Sequence, residues 1–105
     1  MVKWTVLYEH PDDPDAFEDY YANTHMPMVR KIPDLLRYEA AGAVATPDGS
    51  EDGSTPPYYR TFEGYFEDME RLQSGLSSPE GQAASADIPN LATGGATIFI
   101  SEIVG

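Results

Sequence analysis

Val2, Trp4, Val6 and Tyr8 fall on one side of an alternating run and Lys3, Thr5 and Leu7 on the other, which predicts a strand over residues 2–8 with one strongly apolar face. Such a strand is stable only within a sheet whose apolar face is covered by other elements. The run His10-Pro11-Asp12-Asp13-Pro14-Asp15 stops it. Asp13 then caps a helix whose first position is Pro14, with Asp15 and Glu18 favourably placed at the positive end of the helix dipole. Phe17, Tyr20, Tyr21 and Thr24 share one face of that helix. Because Pro27 disfavours helical geometry in the residue before it, the helix is expected to end or distort near Met26. Pro33 closes the turn that follows.

Punctuation organises the rest of the chain. A second strand is expected over 35–46, a solvated polar loop over 47–57 and a third strand over 58–66. Glu67-Asp68-Met69-Glu70-Arg71-Leu72 opens a second helix, interrupted at Gly75 and Ser77-Ser78-Pro79-Glu80. Another helix starts at Pro79 with Ser78 as its cap and Gln82 in reach of a capping box. Asp87-Ile88-Pro89-Asn90 is expected to close it, and Thr93-Gly94-Gly95 leads into a last strand over 96–104. The order βα, β, β, αβ is a split βαβ repeated twice. It predicts an α+β ferredoxin-like sandwich, a four-stranded antiparallel sheet with helices on one face. The opposite face is left to expose apolar side chains, so a homodimer about a twofold axis is expected.

With 105 residues the chain forms a single domain, 1–105, with one core. It has no cysteine, which excludes disulfides, thiolate nucleophiles and zinc-thiolate sites. No apolar run approaches ~18 residues and no signal-like segment opens the chain, so a cytoplasmic location is expected. Eighteen acidic residues against six basic ones give a net charge of −12. That surface repels phosphate backbones and anionic lipid, which argues against nucleic acid and membrane partners and favours a neutral or cationic small-molecule ligand. Such acidity, with lysine only at Lys3 and Lys31, also fits a halophilic source, since salt screens self-repulsion; an acidic mesophilic enzyme is the alternative. Nucleotide-binding glycine motifs, paired histidines at metal spacing and flavin or nicotinamide fingerprints are all missing, so neither a metal nor a cofactor is expected.

The helix Phe17-Glu18-Asp19-Tyr20-Tyr21, then Thr24-His25-Met26-Pro27-Met28, Ile32-Pro33-Asp34-Leu35 and Arg37-Tyr38 resemble the EthD family. Tyr65-Phe66-Glu67-Asp68, Ser77-Ser78-Pro79-Glu80-Gly81-Gln82-Ala83-Ala84, Ala86-Asp87-Ile88-Pro89-Asn90 and Gly94-Gly95 extend the likeness over nearly the whole chain. The resemblance implies a dimeric α+β barrel, in a superfamily with polyketide cyclases, muconolactone-type isomerases and cofactor-independent quinol monooxygenases. It also implies a ligand cleft between the sheet and the helices of each subunit.

His25 is the leading candidate for chemistry. Placed at the carboxyl end of the first helix in a strongly acidic protein, it is expected to favour its protonated form and to shuttle a proton near neutral pH. The competing reading is a histidine that merely caps the helix by bonding a terminal carbonyl. His10 reads as a surface residue. A muconolactone isomerase-like site would place Tyr38 near His25 as a hydroxyl donor to a carbonyl or lactone oxygen, although the cysteine of some such isomerases has no counterpart here. Trp4, Tyr8, Tyr21 and Tyr65, with Tyr20 and Phe66, are the aromatic stock for a flat apolar pocket, or else ordinary core. Asp87 braces its turn or serves as a carboxylate partner of His25. Two functions stay open: a cofactor-independent isomerase, cyclase or monooxygenase acting on an aromatic, quinone or lactone-type metabolite, and a non-catalytic protein holding such a metabolite.

Overall fold

The computed structural model describes residues 1–47 and 56–105, so the loop expected over 47–57 lies largely outside the described residues. In chain order the elements are β1 (Val2–Tyr8), α1 (Pro14–Tyr20), one turn of π-helix (Tyr21–His25), α2 (Met26–Val29), β2 (Arg37–Gly42), β3 (Arg60–Phe66), α3 (Met69–Ser77), α4 (Pro79–Leu91) and β4 (Ala96–Glu102). The four strands form one antiparallel sheet in the order β2-β3-β1-β4. This is the ferredoxin-like α+β sandwich that the order of elements predicts.

Register fixes which side chains share a face. Tyr8, Arg60 and Gly42 lie in one row, Val6, Phe62 and Ala40 in the next, and Trp4, Gly64 and Tyr38 in a third. Val2, Trp4, Val6, Tyr8, Phe62 and Phe66 from this face join Phe17, Tyr21, Met26, Val29, Leu72, Ala84, Ile88 and Leu91 from the helices in a single core. Burying each large side chain there contributes about 1.5–3 kcal/mol. The opposite face is less apolar than the sequence suggests. Lys3 pairs with Glu63 and Arg37 with Glu39, around Leu7, Tyr65 and Phe99. Exposed apolar surface is concentrated instead on the edge strand β4, where Ile98, Phe99 and Ile100 all show at least 44% of their surface.

Local chemistry explains the helix starts. Asp13 accepts from the backbone N–H of Ala16 and Asp68 from that of Arg71, so Asp68 caps α3 and Glu70 is the acidic residue of its first turn. Ser78 Oγ accepts from Gly81 N–H at 3.0 Å and donates to the Gly75 carbonyl at 2.6 Å, stitching α3 to α4. Gln82 does not complete a capping box: its amide reaches the Ser77 carbonyl.

Two helix prolines act differently from each other. Before Pro27 the helix distorts as expected, widening to a π turn in which Met26 N–H bonds the Tyr21 carbonyl, and the run then continues to Val29. A wider turn relieves the clash a proline ring makes with the carbonyl four residues earlier. Pro89, by contrast, sits inside α4 without closing it, and the helix runs on to Leu91. Ser85 and Pro89 are both exposed, so the carbonyl that loses its donor can be hydrated. The strands are shorter than expected: β2 ends at Gly42, β3 begins at Arg60 and β4 stops at Glu102.

Candidate functional site

The π turn delivers His25 into the core, where it is 2% exposed. Its Nδ1 lies 2.9 Å from Asp87 Oδ2, and its Nε2 lies 3.4 Å from the Tyr8 hydroxyl. A carboxylate only accepts, so the neutral ring carries its proton on Nδ1 and turns a lone pair on Nε2 toward Tyr8. Both expectations for the position of His25 are thereby corrected. The helix does not end there, so the dipole argument lapses, and the ring bonds two side chains and caps no terminal carbonyl.

Asp87, on α4, is the hub. Tyr20 donates to its Oδ1 at 2.6 Å and Asn90 at 2.9 Å, while His25 bonds the other oxygen. Burial pushes this carboxyl up, but the bonds from Tyr20, Asn90 and His25 outweigh burial and hold it below the ordinary aspartate range. The same bond raises the Tyr20 hydroxyl. A surface depression of about 180 Å³, lined by Tyr20, Asn90, Phe17 and Thr93 among others, adjoins this network through Tyr20 and Asn90. At the other end of the chain of contacts, burial drives the Tyr8 hydroxyl far above the normal tyrosine range, reinforced by Tyr21 and Asp87. The Tyr8 hydroxyl therefore keeps its proton at neutral pH.

A second polar cluster faces the first across the aromatic rings. Arg60 Nη2 donates to both oxygens of Glu18, at 2.6 and 2.8 Å, and Tyr59 donates to one of them at 2.5 Å. The Arg60 guanidinium lies 4.5 Å from the centre of the Tyr21 ring, within cation–π range. Burial would push the Arg60 pKa down; the Glu18 bond outweighs it and fixes the charge.

Of the residues that sequence reasoning singles out, Tyr8, Tyr21, His25 and Asp87 come together. Trp4 is a core residue, 3% exposed, packed edge-on against Phe62. Tyr65 alternates to the far face of the sheet, where it donates to Glu39 and carries Arg37 over its ring at 3.9 Å; it takes no part in a helix-side cleft. Tyr38 stacks on Phe62 over β2 and accepts from Arg30 Nε at 3.1 Å. It makes no bond to His25. Sequence reasoning misses Arg60, Glu18 and Asn90. A usable signal for Arg60 is that it is one of only six basic residues and lies in a strand that must sit beside an apolar face.

The comparisons with known proteins agree with this architecture. The model of the EthD domain matches residues 10–95. The chain belongs to the EthD family. It is 39% identical over 102 residues to an uncharacterised 11.0 kDa protein of Rhodococcus erythropolis from the thcB–thcC intergenic region, covering 97% of this chain and 94% of that one. The crystal structure of an EthD family protein from Bacillus halodurans matches with a TM-score of 0.89 at 36% identity, covering 99% of both chains. Two more distant structures share the fold alone. One is a dimeric ferredoxin-like protein of Thermobifida fusca, with a TM-score of 0.68 at 15% identity over 97% of this chain and 90% of that one. The other is SnoaB, a cofactor-independent oxygenase of Streptomyces nogalater, with a TM-score of 0.63 at 14% identity over 97% and 91%. Among the described residues of this EthD protein, no helix is long and apolar enough to cross a membrane.

Proposed function

We propose that this EthD protein binds a neutral aromatic, quinone or lactone-type metabolite between the sheet and the first helix and moves a proton on it without a cofactor. His25 is the general acid and base, and Tyr8 passes the proton between ligand and Nε2. The observation that carries the reading is the buried Asp87–His25 pair with its Nε2 turned toward Tyr8, since a carboxylate that fixes the tautomer leaves the distal nitrogen free for proton transfer. The proton leaves an acidic C–H or a phenol O–H, and its electron pair delocalises onto the ligand oxygen. An isomerase, a cyclase and a cofactor-independent oxygenase all begin with this step, and a cofactor-independent oxygenase shares the fold. A homodimer accompanies the reading, supported by the apolar edge strand β4 and by a dimeric protein of the same fold.

The near-complete burial of His25 favours a second reading, a protein that holds the metabolite without transforming it. The two part on one substitution. Phenols, quinols and β-keto lactones are incubated with the protein in D2O, and deuterium incorporation is followed by NMR. His25→Ala is expected to slow exchange about 100-fold or more with little change in ligand affinity. Loss of binding with no exchange activity in the wild type supports the second reading instead.

A further inference from the structure

Tyr21 is 5% exposed, and although the Arg60 guanidinium lies against its oxygen, its O–H finds no acceptor among the described residues, nor does the buried Nε–H of Arg60. Leaving a buried donor unmet costs roughly 1–3 kcal/mol, so two such donors side by side point to something they are built to meet. The guanidinium counteracts the effect of burial on the Tyr21 hydroxyl, and the hydroxyl of Tyr38 lies within electrostatic reach of it. Glu18 takes Nη2 of Arg60, and Nε–H beside it has no acceptor among the described residues.

The strand beside Arg60 carries small side chains. Arg60 stands opposite Gly42 in the register, and a Cβ added at Gly42 meets no described atom within 4 Å. Ala40 and Gly42 of β2 are both exposed although they point to the helix side of the sheet. This open stretch of small residues, with Tyr38 further along the strand, leads to Arg60 and Tyr21. Tyr8 occupies the neighbouring place in the Arg60 row, so the two unmet donors and the proton carrier adjoin.

We infer that Arg60 Nε–H and the Tyr21 hydroxyl form an oxygen-binding site, entered over β2, for the oxygen of a phenol, enol or conjugated ketone as negative charge develops on it. The inference rests on the proton-transfer reading above. As the ligand loses a proton to Tyr8, which passes its own to His25 Nε2, the electron pair left behind spreads to the ligand oxygen, and these two donors meet it there. A protein of net charge −12 admits the neutral acid more readily than its anion, and the site creates the anion only inside.

The test uses 4-nitrophenol, whose anion is read by its absorbance, and 4-nitroanisole, which has no ionisable oxygen. Wild-type protein is expected to bind the phenolate more tightly than the anisole and to lower the apparent pKa of the bound phenol. Tyr21→Phe and Arg60→Lys are each expected to weaken phenolate binding roughly tenfold while leaving the anisole unchanged; Tyr21→Phe removes a hydroxyl whose O–H has no acceptor among the described residues and so preserves the fold. Equal affinity for the two compounds, or a Tyr21→Phe protein that binds phenolate as the wild type does, overturns the oxygen site. If His25-dependent proton exchange survives that result, the proposed function stands without it. If His25→Ala leaves exchange unaffected while Tyr21→Phe still weakens phenolate binding, the proton-transfer reading falls and the oxygen site remains as a binding site.

Discussion

Replacing Asp87 by asparagine tests the site without knowledge of the ligand. Tyr20 and Asn90 both donate to Oδ1, so the amide oxygen takes that position and the amide NH2 faces His25 Nδ1 across the 2.9 Å contact. Two donors then oppose each other. The neutral imidazole relieves the clash by carrying its proton on Nε2, where it points at Tyr8, and the lone pair that the proposed base catalysis requires is turned to the wrong side. Nitrogen NMR of the ring, at a pH high enough for neutrality, is expected to show Nδ1 protonated in the wild type and Nε2 protonated in Asp87→Asn. The same tautomer in both proteins refutes the reasoning.

The energetic consequence follows from the same contacts. Bonds to an ionised group contribute about 1.5–3 kcal/mol against about 0.5–1.5 for neutral pairs, so three weakened bonds cost about 3 kcal/mol, partly offset because an amide is easier to bury than a carboxylate. A net loss of about 1–2 kcal/mol at pH 7 lowers the melting temperature by roughly 5–15 °C in a chain of this size. The pH dependence has a definite sign. The folded carboxyl titrates below its ordinary value of 3.8, so its contribution is fully present above that value and is lost as pH falls from there toward the folded pKa. Asp87→Asn is therefore less stable than the wild type at neutral pH, and the gap narrows in acid. A constant difference across that range contradicts the role given to the carboxylate.

Tyr20→Phe removes the shortest bond to Asp87, so the carboxyl titrates nearer 3.8 and acid unfolding begins at higher pH; carboxyl carbon NMR against pH checks this. With a net charge of −12, the melting temperature should rise from low salt to about 1 M potassium chloride, where the Debye length falls to about 3 Å; a flat salt profile removes the case for a halophilic source. Substituting lysine at Ile98 and Ile100 on the exposed edge of β4 should shift sedimentation from dimer to monomer with the fold retained by circular dichroism. Gly81→Ala should destabilise by about 1–3 kcal/mol or more in urea melts, because the added carbon would sit 2.1 Å from the Gly75 carbonyl oxygen at the junction of α3 and α4.

Most of the fold is legible because short-range chemistry and long-range packing agree. Strand alternation in Val2–Tyr8 gives the core face directly, and Asp13 and Ser78 cap the helices that their sequence context announces. Pro27 distorts its helix as the sequence announces, whereas Pro89 misleads because propensity speaks only to the local backbone. At Pro27 the helix is held on both sides by buried Tyr21, His25, Met26 and Val29, and packing favours a widened turn over a break. The site is legible only in part. Tyr8, His25 and Asp87 are far apart in sequence, and no spacing rule connects a strand end, a helix and a residue 62 positions later. Arg60 escapes notice because an arginine in an alternating strand reads as solvent-facing, whereas register with Tyr8 turns it inward.

The π turn is where backbone and chemistry meet. In a regular α-helix each step of four residues overshoots a full turn by about 40°, so Phe17, Tyr21 and His25 would spiral progressively off one line. Pro27 has no N–H with which to close an α-helical bond onto Asn23, and its ring opposes a tight turn there. The wider turn from Tyr21 to His25 advances less per residue and takes back the overshoot. All three rings consequently stay against the sheet, with Phe17 5.5 Å from Tyr21 and Tyr21 5.9 Å from His25 between centres. His25 is thereby held between Tyr8 on the first strand and Asp87 on the last long helix, and the distortion expected of the proline is what aims the histidine.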